Sequence, residues 1–542
     1  MISSKRTRLL ALLMGAASIS QAAVTEEQHL SELRHTVENL LQALVDKGVL
    51  TREQAELMVS SAQSKAEKDA ATEAAARAAT EQAEAGAVRV PYVPQIVKDE
   101  IRKQVIAEMT PALTDQIVAE ASSTDALARA LPDWARRMRW SGDFRVRGQG
   151  DTYAEDNLPN SYIDVLNVND RGGITKAGNA AFVNTTEDRQ RLRLRARVGF
   201  DVELGWGWTA GARLTTGNLR DAVSTNQTLG NYGGRYTVGF DQAFVRWQGT
   251  SHSSRQSLAL AGGRIGNPFL STDLVFDQDL MFEGVATNYR YSLSRDEPFV
   301  RNWFFTAGAF PLQEVELSDK DKWLFAGQTG LDWRTVNGSR LRFAAAYYDY
   351  RNITGVRNGF GSNLLDYTAP VFAQRGNTLY DIRFDSDDTT NLLALAGEYQ
   401  IANLTAVFDW RVSPAHRLTF TADAVENVGY DRETVLAVSG IDAEERTRGY
   451  LAEIAFGSAR FNEAHAWRAS VGYRYVERDA VLDAFTDSDF RLGGTDVKGF
   501  IIGADYAFSP RVFARLRYLS GNEIDGLPLG IDVLQLDMNA SF

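Results

Sequence analysis

The sequence predicts an all-β barrel of roughly 16 antiparallel strands, preceded by an α-helical segment. Three observations predict this fold. Polar and apolar residues alternate with a period of two through most of the chain after residue 135. Short and long connections between these stretches follow one another in turn. The last stretch ends at the chain terminus, and on it Leu534, Leu536, Met538, Ala540 and Phe542 share one face.

Residues 1–22 have the pattern of a cleaved export signal. Lys5, Arg6 and Arg8 precede a short apolar run from residue 9 to residue 19, and small residues follow it. The run is well below the ~20 residues that a membrane-spanning helix needs. We therefore expect the chain to leave the cytoplasm.

Residues 23–135 are expected to form a helical, coiled-coil segment in the periplasm. Leu33, Val37, Leu40 and Leu44 follow the spacing of a short coiled coil. Ala, Glu, Lys and Gln dominate the stretch from about residue 62 to residue 87, which favours a solvated helix. Both a soluble linker and an oligomerising coiled coil fit this pattern. The heptads are too few to choose a dimer or a trimer.

The composition excludes several classes of protein. The 542 residues include no Cys, so disulfides and Cys-ligated metal sites are excluded. No apolar run after residue 22 approaches the length of a membrane-spanning helix. A closed barrel is then the one structure that can pair all its backbone groups in lipid. The net charge of −12 argues against nucleic acid as a partner.

Residues 136–542 are expected to form this transmembrane barrel. We interpret Asn391 to Arg411 as one long or bulged strand, since splitting it would give an odd number of strands. Tight turns at 204–205, 250–254, 336–338, 413–414 and 509–510 alternate with long polar loops. Several of the ten Trp lie near strand ends, as expected for aromatic girdles at both membrane interfaces. The strands are expected to begin near Trp140, Arg191, Trp206, Val238, Gln256, Leu280, Arg301, Lys322, Ser339, Asn391, Ala415, Thr447, Ala466, Lys498, Arg511 and Asp532.

A basic wall is expected inside the barrel. Four arginines share one face of one strand whose other face is apolar, so they must face the lumen if the apolar face meets lipid. Three further arginines on adjacent strands would widen the wall. A structural ladder of arginines paired with neighbouring acids is the alternative. The expected pore-lining residues are Arg145, Arg147, Arg191, Arg193, Arg195, Arg197 and Arg213.

An acidic constriction is expected opposite this wall. Asp273, Asp277, Asp279 and Glu283 follow the Asn267-Pro268-Phe269 turn, and the segment would set acids against arginines if it folds inward. Opposed rows of charge order water and favour small polar solutes. Phe542 is expected to face outward at the periplasmic rim, where the assembly machinery would recognise it as a signal.

Several segments resemble the recurring segments of the proteobacterial "putative porin" family, over most of the mature chain. The resemblance implies an outer-membrane barrel channel, and it brings no defined substrate or site residues. The segments are Lys47-Gly48-Val49-Leu50-Thr51, Gly263-Arg264, Asn267-Pro268-Phe269, Asp277-Gln278-Asp279-Leu280, Glu283-Gly284, Asp487-Ser488-Asp489-Phe490, Gly493-Gly494-Thr495-Asp496 and Lys498-Gly499.

The function expected from the sequence is that of a porin in the Gram-negative outer membrane, a passive channel for small polar or anionic solutes. The alternatives are a tether acting through the helical segment and, less favoured, an outer-membrane hydrolase. The five His show no metal-ligand spacing and no nucleophile motif occurs, so neither an enzyme nor a cofactor is expected. Asp385, Asp387 and Asp388 fit a solvated loop better than a Ca²⁺ site. The expected partners are lipid, the barrel assembly machinery and the solutes, with a homo-oligomer and cell-wall contact left open.

Overall fold

The computed structural model describes residues 137–250, 255–294, 300–316 and 318–542. These residues form a closed antiparallel barrel of 16 strands, as predicted. Each strand pairs with its neighbours in the chain, and the first pairs with the last. The predicted signal (1–22), the predicted helical segment (23–135) and the boundary at residue 136 all lie outside the described residues. The strands are β1 (Met138–Tyr153), β2 (Arg189–Gly205), β3 (Trp208–Thr216), β4 (Val238–Thr250), β5 (Gln256–Gly266), β6 (Met281–Ser294), β7 (Val300–Gln313), β8 (Lys322–Arg334), β9 (Arg340–Arg351), β10 (Gln400–Arg411), β11 (His416–Asn427), β12 (Arg448–Ser458), β13 (Trp467–Val476), β14 (Val497–Ser509), β15 (Val512–Glu523) and β16 (Ile531–Ser541).

Short elements occupy the connections. Gln227–Thr228 pairs with β2 beyond the end of β3, and Leu379–Asp381 pairs with Leu393–Leu395 in a separate small sheet. None of the helices in the described ranges is long and apolar enough to cross a membrane. The α-helices are α1 (Val165–Arg171), α2 (Ile174–Ala177) and α3 (Arg432–Ser439), and the 3-10 turns are Gly178–Ala181, Asp366–Thr368, Asp483–Phe485 and Phe490–Leu492.

The period-two alternation places charge inside the barrel and apolar side chains outside. On β16, Gln535 and Asp537 are 1% and 2% exposed, whereas Leu536 and Met538 are 45% and 47% exposed. The outer faces of the other strands carry a similar apolar band, which includes Val245, Leu260, Val285, Phe305, Phe343, Leu404, Ile454, Val471 and Ile502. A band of this kind is what lipid contact requires.

The segment from Asn391 to Arg411 is not one strand, which corrects the sequence interpretation. The barrel strand β10 begins at Gln400. Leu393–Leu395 instead pairs with Leu379–Asp381 inside the preceding loop. Both strands of that small sheet are too short for the period of two to separate them from the strand that follows. The barrel still has an even number of 16 strands, because β10 is the part of this segment that joins it and Leu393–Leu395 does not.

The two ends of the barrel differ. Seven short connections lie at one end, the turn end, where both termini of the barrel also lie. All connections of more than eight residues lie at the other end, the loop end, together with one of seven residues and one of eight. All described tryptophans except Trp323 are at or next to the turn end, so the Trp girdle forms at one interface and not at both. Near the loop end, exposed Tyr and Phe side chains take that place, including Tyr347, Tyr450, Tyr518 and Phe500.

The main hydrophobic core lies inside the loop end of the barrel. Inward-facing residues of the strands, such as Phe310 and Tyr348, pack against side chains from the loops between β5 and β6 and between β13 and β14. Phe269 and Phe276 from the first of these loops contact Tyr348 with ring centroids 5.5 and 5.0 Å apart. Each such aromatic side chain contributes about 1.5–3 kcal/mol on burial. These loops are therefore folded into the lumen, where they pack as a core.

The chain terminus completes the closing seam at the turn end. The Phe542 amide donates to the Gly142 carbonyl at 3.1 Å, and the Gly142 amide donates to the Phe542 carbonyl at 3.2 Å. The Phe542 ring is 53% exposed and stacks on Phe144, with ring centroids 6.1 Å apart. The side chain therefore lies on the outer face at the rim.

We expect deletion of Phe542 to lower the amount of protein inserted in the outer membrane, because it removes both seam hydrogen bonds and the terminal ring. Export across the inner membrane should continue, so the protein should accumulate unfolded in the periplasm. Quantitative immunoblots of outer-membrane and periplasmic fractions measure this. Phe508→Ala is the matched control, since Phe508 is equally exposed at 51% and is not terminal. Equal outer-membrane levels in the deletion strain and the parent would contradict the expectation.

Candidate functional site in the barrel lumen

The four arginines of β2 lie on its inner face. Each is directed toward polar groups inside the barrel, while Leu192 between them is 59% exposed on the outer face. Arg191 pairs with Asp151 at 2.5 Å. Arg195 and Arg197 both pair with Asp143 on β1, at 2.8 and 2.7 Å. On β3, Arg213 pairs with Asp241 of the next strand at 2.5 Å.

Arg147 is the most completely bonded arginine of the wall. Its side chain is 1% exposed and forms ion pairs with Asp537 of β16 at 2.7 Å and with Asp489 at 2.8 Å. Asp489 belongs to the loop between β13 and β14, and it also lies 3.5 Å from Arg517 of β15. Burial by itself would raise the pKa of Asp489, but Arg147 and Arg517 outweigh burial and hold that pKa well below its usual range.

Arg145 and Arg193 differ from the other predicted pore residues, because neither has a carboxylate partner among the described residues. Arg145 donates to the Asn226 side-chain oxygen at 2.5 Å. Arg193 donates to Gln149 at 3.3 Å and to Ser224 at 3.4 Å. The Nε atoms of both arginines are buried without a hydrogen-bond partner. Neither charge therefore has an ion-pair partner among the described residues, although both lie in the field of the Asp489 carboxylate.

The four predicted acids occupy three different environments. Asp279 lies against the wall, 3.2 Å from both Arg195 and Arg197. Glu283 lies on β6 and pairs with Arg264 of β5, away from the wall. Asp273 and Asp277 face the loop between β13 and β14, where Asp277 accepts a hydrogen bond from the Ser488 amide at 2.9 Å. The structure thus brings one acid of the four to the arginines.

Two loops meet inside the barrel and span it. Loop L3 (residues 267–280) joins β5 to β6, and loop L7 (residues 477–496) joins β13 to β14, which lie half of the way round the 16 strands. The Asp277 amide donates to the Phe485 carbonyl at 2.8 Å, and the Asp487 amide donates to the Asp273 carbonyl at 3.2 Å. We call this contact the L3–L7 bridge. It crosses the lumen from one wall to the opposite wall.

The two halves of the bridge have the same acidic spacing. Asp273, Asp277 and Asp279 in L3 correspond in spacing to Asp483, Asp487 and Asp489 in L7. The last acid of each set reaches arginines of the wall, and the middle acid bonds within the bridge. Burial first, and then the neighbouring Asp487, raise the pKa of Asp277 well above its ordinary value.

Loop L5 (residues 352–399) is hydrogen-bonded to L7. Gln374 donates to the carbonyls of Asp483 and Thr486, both at 2.8 Å. Thr378 donates to Asp479 at 2.6 Å. Gly493 and Gly494 have φ angles of 85° and 93°, and a Cβ at either position would clash with Gln374 or with the Arg375 backbone. This close approach of L5 and L7 requires glycine at both positions.

Sequence reasoning missed several residues of this site. Asn226, Asp143, Asp489 and Arg517 complete the wall, yet none was expected to line the pore. The segment Asp487-Ser488-Asp489 was recognised only as part of a family resemblance. Its shared spacing with Asp273, Asp277 and Asp279 is the signal that could have identified both halves of the bridge.

Polar cavities lie nearer the turn end. One of about 460 Å³ is lined by Ser141, Arg213, Gln242, Asn267 and Asn288, among others. Another of about 600 Å³ is lined on the opposite side by Arg334, Arg340, Asp409, Arg417 and Arg468, among others. Within the described ranges, no group of His, Asp and Glu could hold a metal ion. Asp385 and Asp387 instead accept hydrogen bonds from Thr390 and Thr389 in their own loop.

The barrel is similar to those of several outer-membrane porins of known structure. No curated protein matches this chain. Among solved structures, the high-pH structure of OprB from Pseudomonas putida has 13% identity and a TM-score of 0.41, with 75% of this chain and 95% of that chain covered. A loop-deletion mutant of OmpT from Vibrio cholerae has 9% identity and a TM-score of 0.38, with 75% and 99% covered. A triple mutant of the Rhodopseudomonas blastica porin has 13% identity and a TM-score of 0.33, with 75% and 100% covered.

The family comparison covers almost the whole chain. The family model described as "Putative porin" matches residues 34–542, which includes every strand of the barrel. The match agrees with the closed barrel and with the segments that resemble this family, including both halves of the L3–L7 bridge. The chain belongs to the "Putative porin" family of outer-membrane channels.

Proposed function

We propose that this outer-membrane channel passes small polar or anionic solutes by passive diffusion along the arginine wall. The observation that carries the proposal is that Arg145 and Arg193 have no ion-pair partner among the described residues, within a wall whose other arginines are paired. An ion inside the pore responds to charges within about one Debye length, ~8 Å at physiological salt. The chain's net charge of −12 is spread over the whole sequence, so these two local charges decide the selectivity.

The L3–L7 bridge supports a route on the side of the arginine wall. On the side of β6 to β9, Phe269, Phe276, Phe282, Phe310 and Tyr348 pack together as a hydrophobic cluster. An ion is expensive to move into an apolar environment. Polar solutes therefore pass along the inner faces of β1 to β3. There, Asp143 and Asp279 form ion pairs with Arg195 and Arg197 and partly neutralise them.

The predicted pore residues have separate roles in this proposal. Arg145 and Arg193 attract anions. Arg147, Arg191, Arg195, Arg197 and Arg213 act chiefly as a structural ladder, because each is paired with a carboxylate. Asp279 forms the acidic side of the constriction, and Asp273 and Asp277 hold L3 to L7.

The remaining roles rest on the sequence and belong to the same proposal. The barrel assembly machinery recognises Phe542 at the exposed rim. The segment of residues 23–135 sets subunit number as a coiled coil in a homo-oligomer, or contacts the cell wall. A tether without a channel and a hydrolase are the competing functions. Purified protein in planar bilayers distinguishes them, since only a channel gives stepwise ionic conductance.

We expect the double variant Arg145→Gln, Arg193→Gln to shift the reversal potential in a salt gradient toward cation selectivity. One charge at about 8 Å in water contributes about 0.5 kcal/mol, which is roughly a twofold change in local anion concentration. The two neutralisations should therefore lower anion preference several-fold. The shift should fade in 1 M salt, where the screening length is about 3 Å.

The charge-neutral variant Arg213→Gln, Asp241→Asn is the matched control for this measurement. It removes an arginine of the wall together with its own partner, so the net charge of the lumen stays the same. We expect its reversal potential to match that of the parent. If the Arg145, Arg193 variant also matches the parent, the selectivity is set elsewhere in the lumen.

We expect Arg147→Met to destabilise the folded barrel by about 3–5 kcal/mol, because it leaves Asp489 and Asp537 buried without their cation. Urea unfolding in lipid vesicles, followed by tryptophan fluorescence, measures the change. Arg139→Met is the control on the same strand. Arg139 and Glu203 are 78% and 54% exposed, so loss of that pair should cost at most about 1 kcal/mol. Equal unfolding midpoints for the two variants would show that Arg147 is not an anchor.

A further inference from the structure

A cavity of about 210 Å³ that is partly open to solvent lies at the loop end of the barrel, apart from the arginine wall. Its walls are the inner faces of β6, β7 and β8, together with parts of L3, L5 and L7. Val371 of L5 lies at its rim, and that side chain is 59% exposed. None of the predicted pore-lining arginines contributes to it. An occupant of this cavity would therefore be recognised independently of the wall.

Most of the lining is apolar. Phe282, Phe310 and Leu324 come from the barrel wall and are almost fully buried. L5 contributes residues 370–373, and L7 contributes Leu482, Ala484 and Phe485. An apolar cavity of ~150 Å³ accepts a benzene molecule. The cavity here is large enough for one aromatic ring with a small substituent.

The lining also carries buried hydrogen-bond acceptors without side-chain donors. Asp483 is 1% exposed, and its carboxyl oxygens have no side-chain donor among the described residues. The side-chain oxygen of Gln313 is buried and unpartnered. Leaving such groups unpaired costs about 1–3 kcal/mol each. A ligand that donates a hydrogen bond would recover part of this cost.

The charged groups near Asp483 favour a neutral donor. Burial raises the pKa of Asp483 to about 7, although the nearby Ala484 amide and Arg375 of L5 act to lower it and Asp479 of L7 acts to raise it. The Lys322 ammonium also lines the cavity. It donates to the carbonyls of Thr368 and Ala369, at 3.2 and 2.7 Å, which leaves one of its three donors free.

We propose that this cavity binds a neutral single-ring aromatic alcohol of the phenol class. The ring packs among Phe282, Phe310 and Phe485, and the hydroxyl donates to the side-chain oxygen of Gln313. The free donor of Lys322 faces the phenolic oxygen. Lys322 and Arg264 disfavour a cationic amine, Asp483 and Glu283 disfavour a carboxylate, and a plain hydrocarbon leaves the buried acceptors unpaired. The inference assigns a solute class to a second lumenal site of the proposed channel.

Binding of phenol to the purified full chain in detergent tests this proposal by isothermal titration calorimetry. Anisole is the matched probe, because it has the same ring and oxygen but no donor. We expect anisole to bind at least about tenfold more weakly than phenol, the loss of about one hydrogen bond. Ala484→Phe fills the cavity and should abolish saturable phenol binding. Ala469→Phe adds the same ring on the exposed outer face of β13 and should leave binding unchanged.

Gln313→Leu provides a second variant in case Ala484→Phe does not fold. It removes an unpartnered acceptor with little change in volume, so phenol binding should weaken and anisole binding should not. Phenol heats that are equal in the parent, Ala484→Phe and Ala469→Phe would come from the micelle and overturn the proposal. Equal affinities for phenol and anisole would overturn it too. Conductance in planar bilayers is measured on the same preparation. A conducting parent without phenol binding refutes this site alone, whereas a parent without conductance refutes the channel.

Discussion

The ion pairs of Arg147 join the two features on which the rest of the barrel depends. Its pair with Asp537 crosses the seam between β1 and β16, and its pairs with Asp489 fix L7 to the same place. In lipid a sheet is stable only when it closes, because unpaired edge groups have no water to bond. The closing seam is thus held from inside by the residue that also positions the lumenal loop.

The ion pair between Arg147 and Asp489 also shapes the lumen. With Asp489 fixed at the seam, L7 extends across the barrel and pairs with L3, whose Asp279 reaches Arg195 and Arg197. Each end of the bridge is therefore tied to arginines of one wall by an acid at the equivalent position of a repeated spacing. On the other side of the bridge, the inner faces of β6 to β9 contribute aromatic side chains at the loop end. The interior next to the bridge is consequently rich in arginine on one side and in aromatic rings on the other.

This asymmetry relates the two proposed sites. Small anions respond to Arg145 and Arg193, which have amide or hydroxyl partners and no carboxylate. The cavity next to Phe282 and Phe310 has a mostly apolar lining, an unpartnered acceptor on Gln313, and equal numbers of acidic and basic side chains. A charged solute and a phenolic solute would thus meet different faces of the same loops. L5 contributes to both sites, because it lines the cavity and also anchors L7 through hydrogen bonds from Gln374 and Thr378.

The sequence by itself determined the architecture. Strand number and the inward and outward faces follow from the period of two, which is a local property of an extended chain. The turn and loop ends follow from the alternating lengths of the connections. The side chains of β16 and the arginines of β2 face the sides that the period of two predicts. The prediction was wrong between Asn391 and Arg411, because the strands of the small sheet within L5 are too short to show a period.

The tertiary structure alone decided which charges are paired. Arg147 is 342 residues from Asp489 and 390 residues from Asp537, and Arg195 is 84 residues from Asp279. Those partners meet only after the barrel closes and both loops fold inward. The seven arginines looked equivalent in sequence, since each has the same residue type and faces the same side. In the folded barrel five of them pair with carboxylates, and Arg145 and Arg193 have neutral partners, because the side chains that surround each one come from other strands and loops.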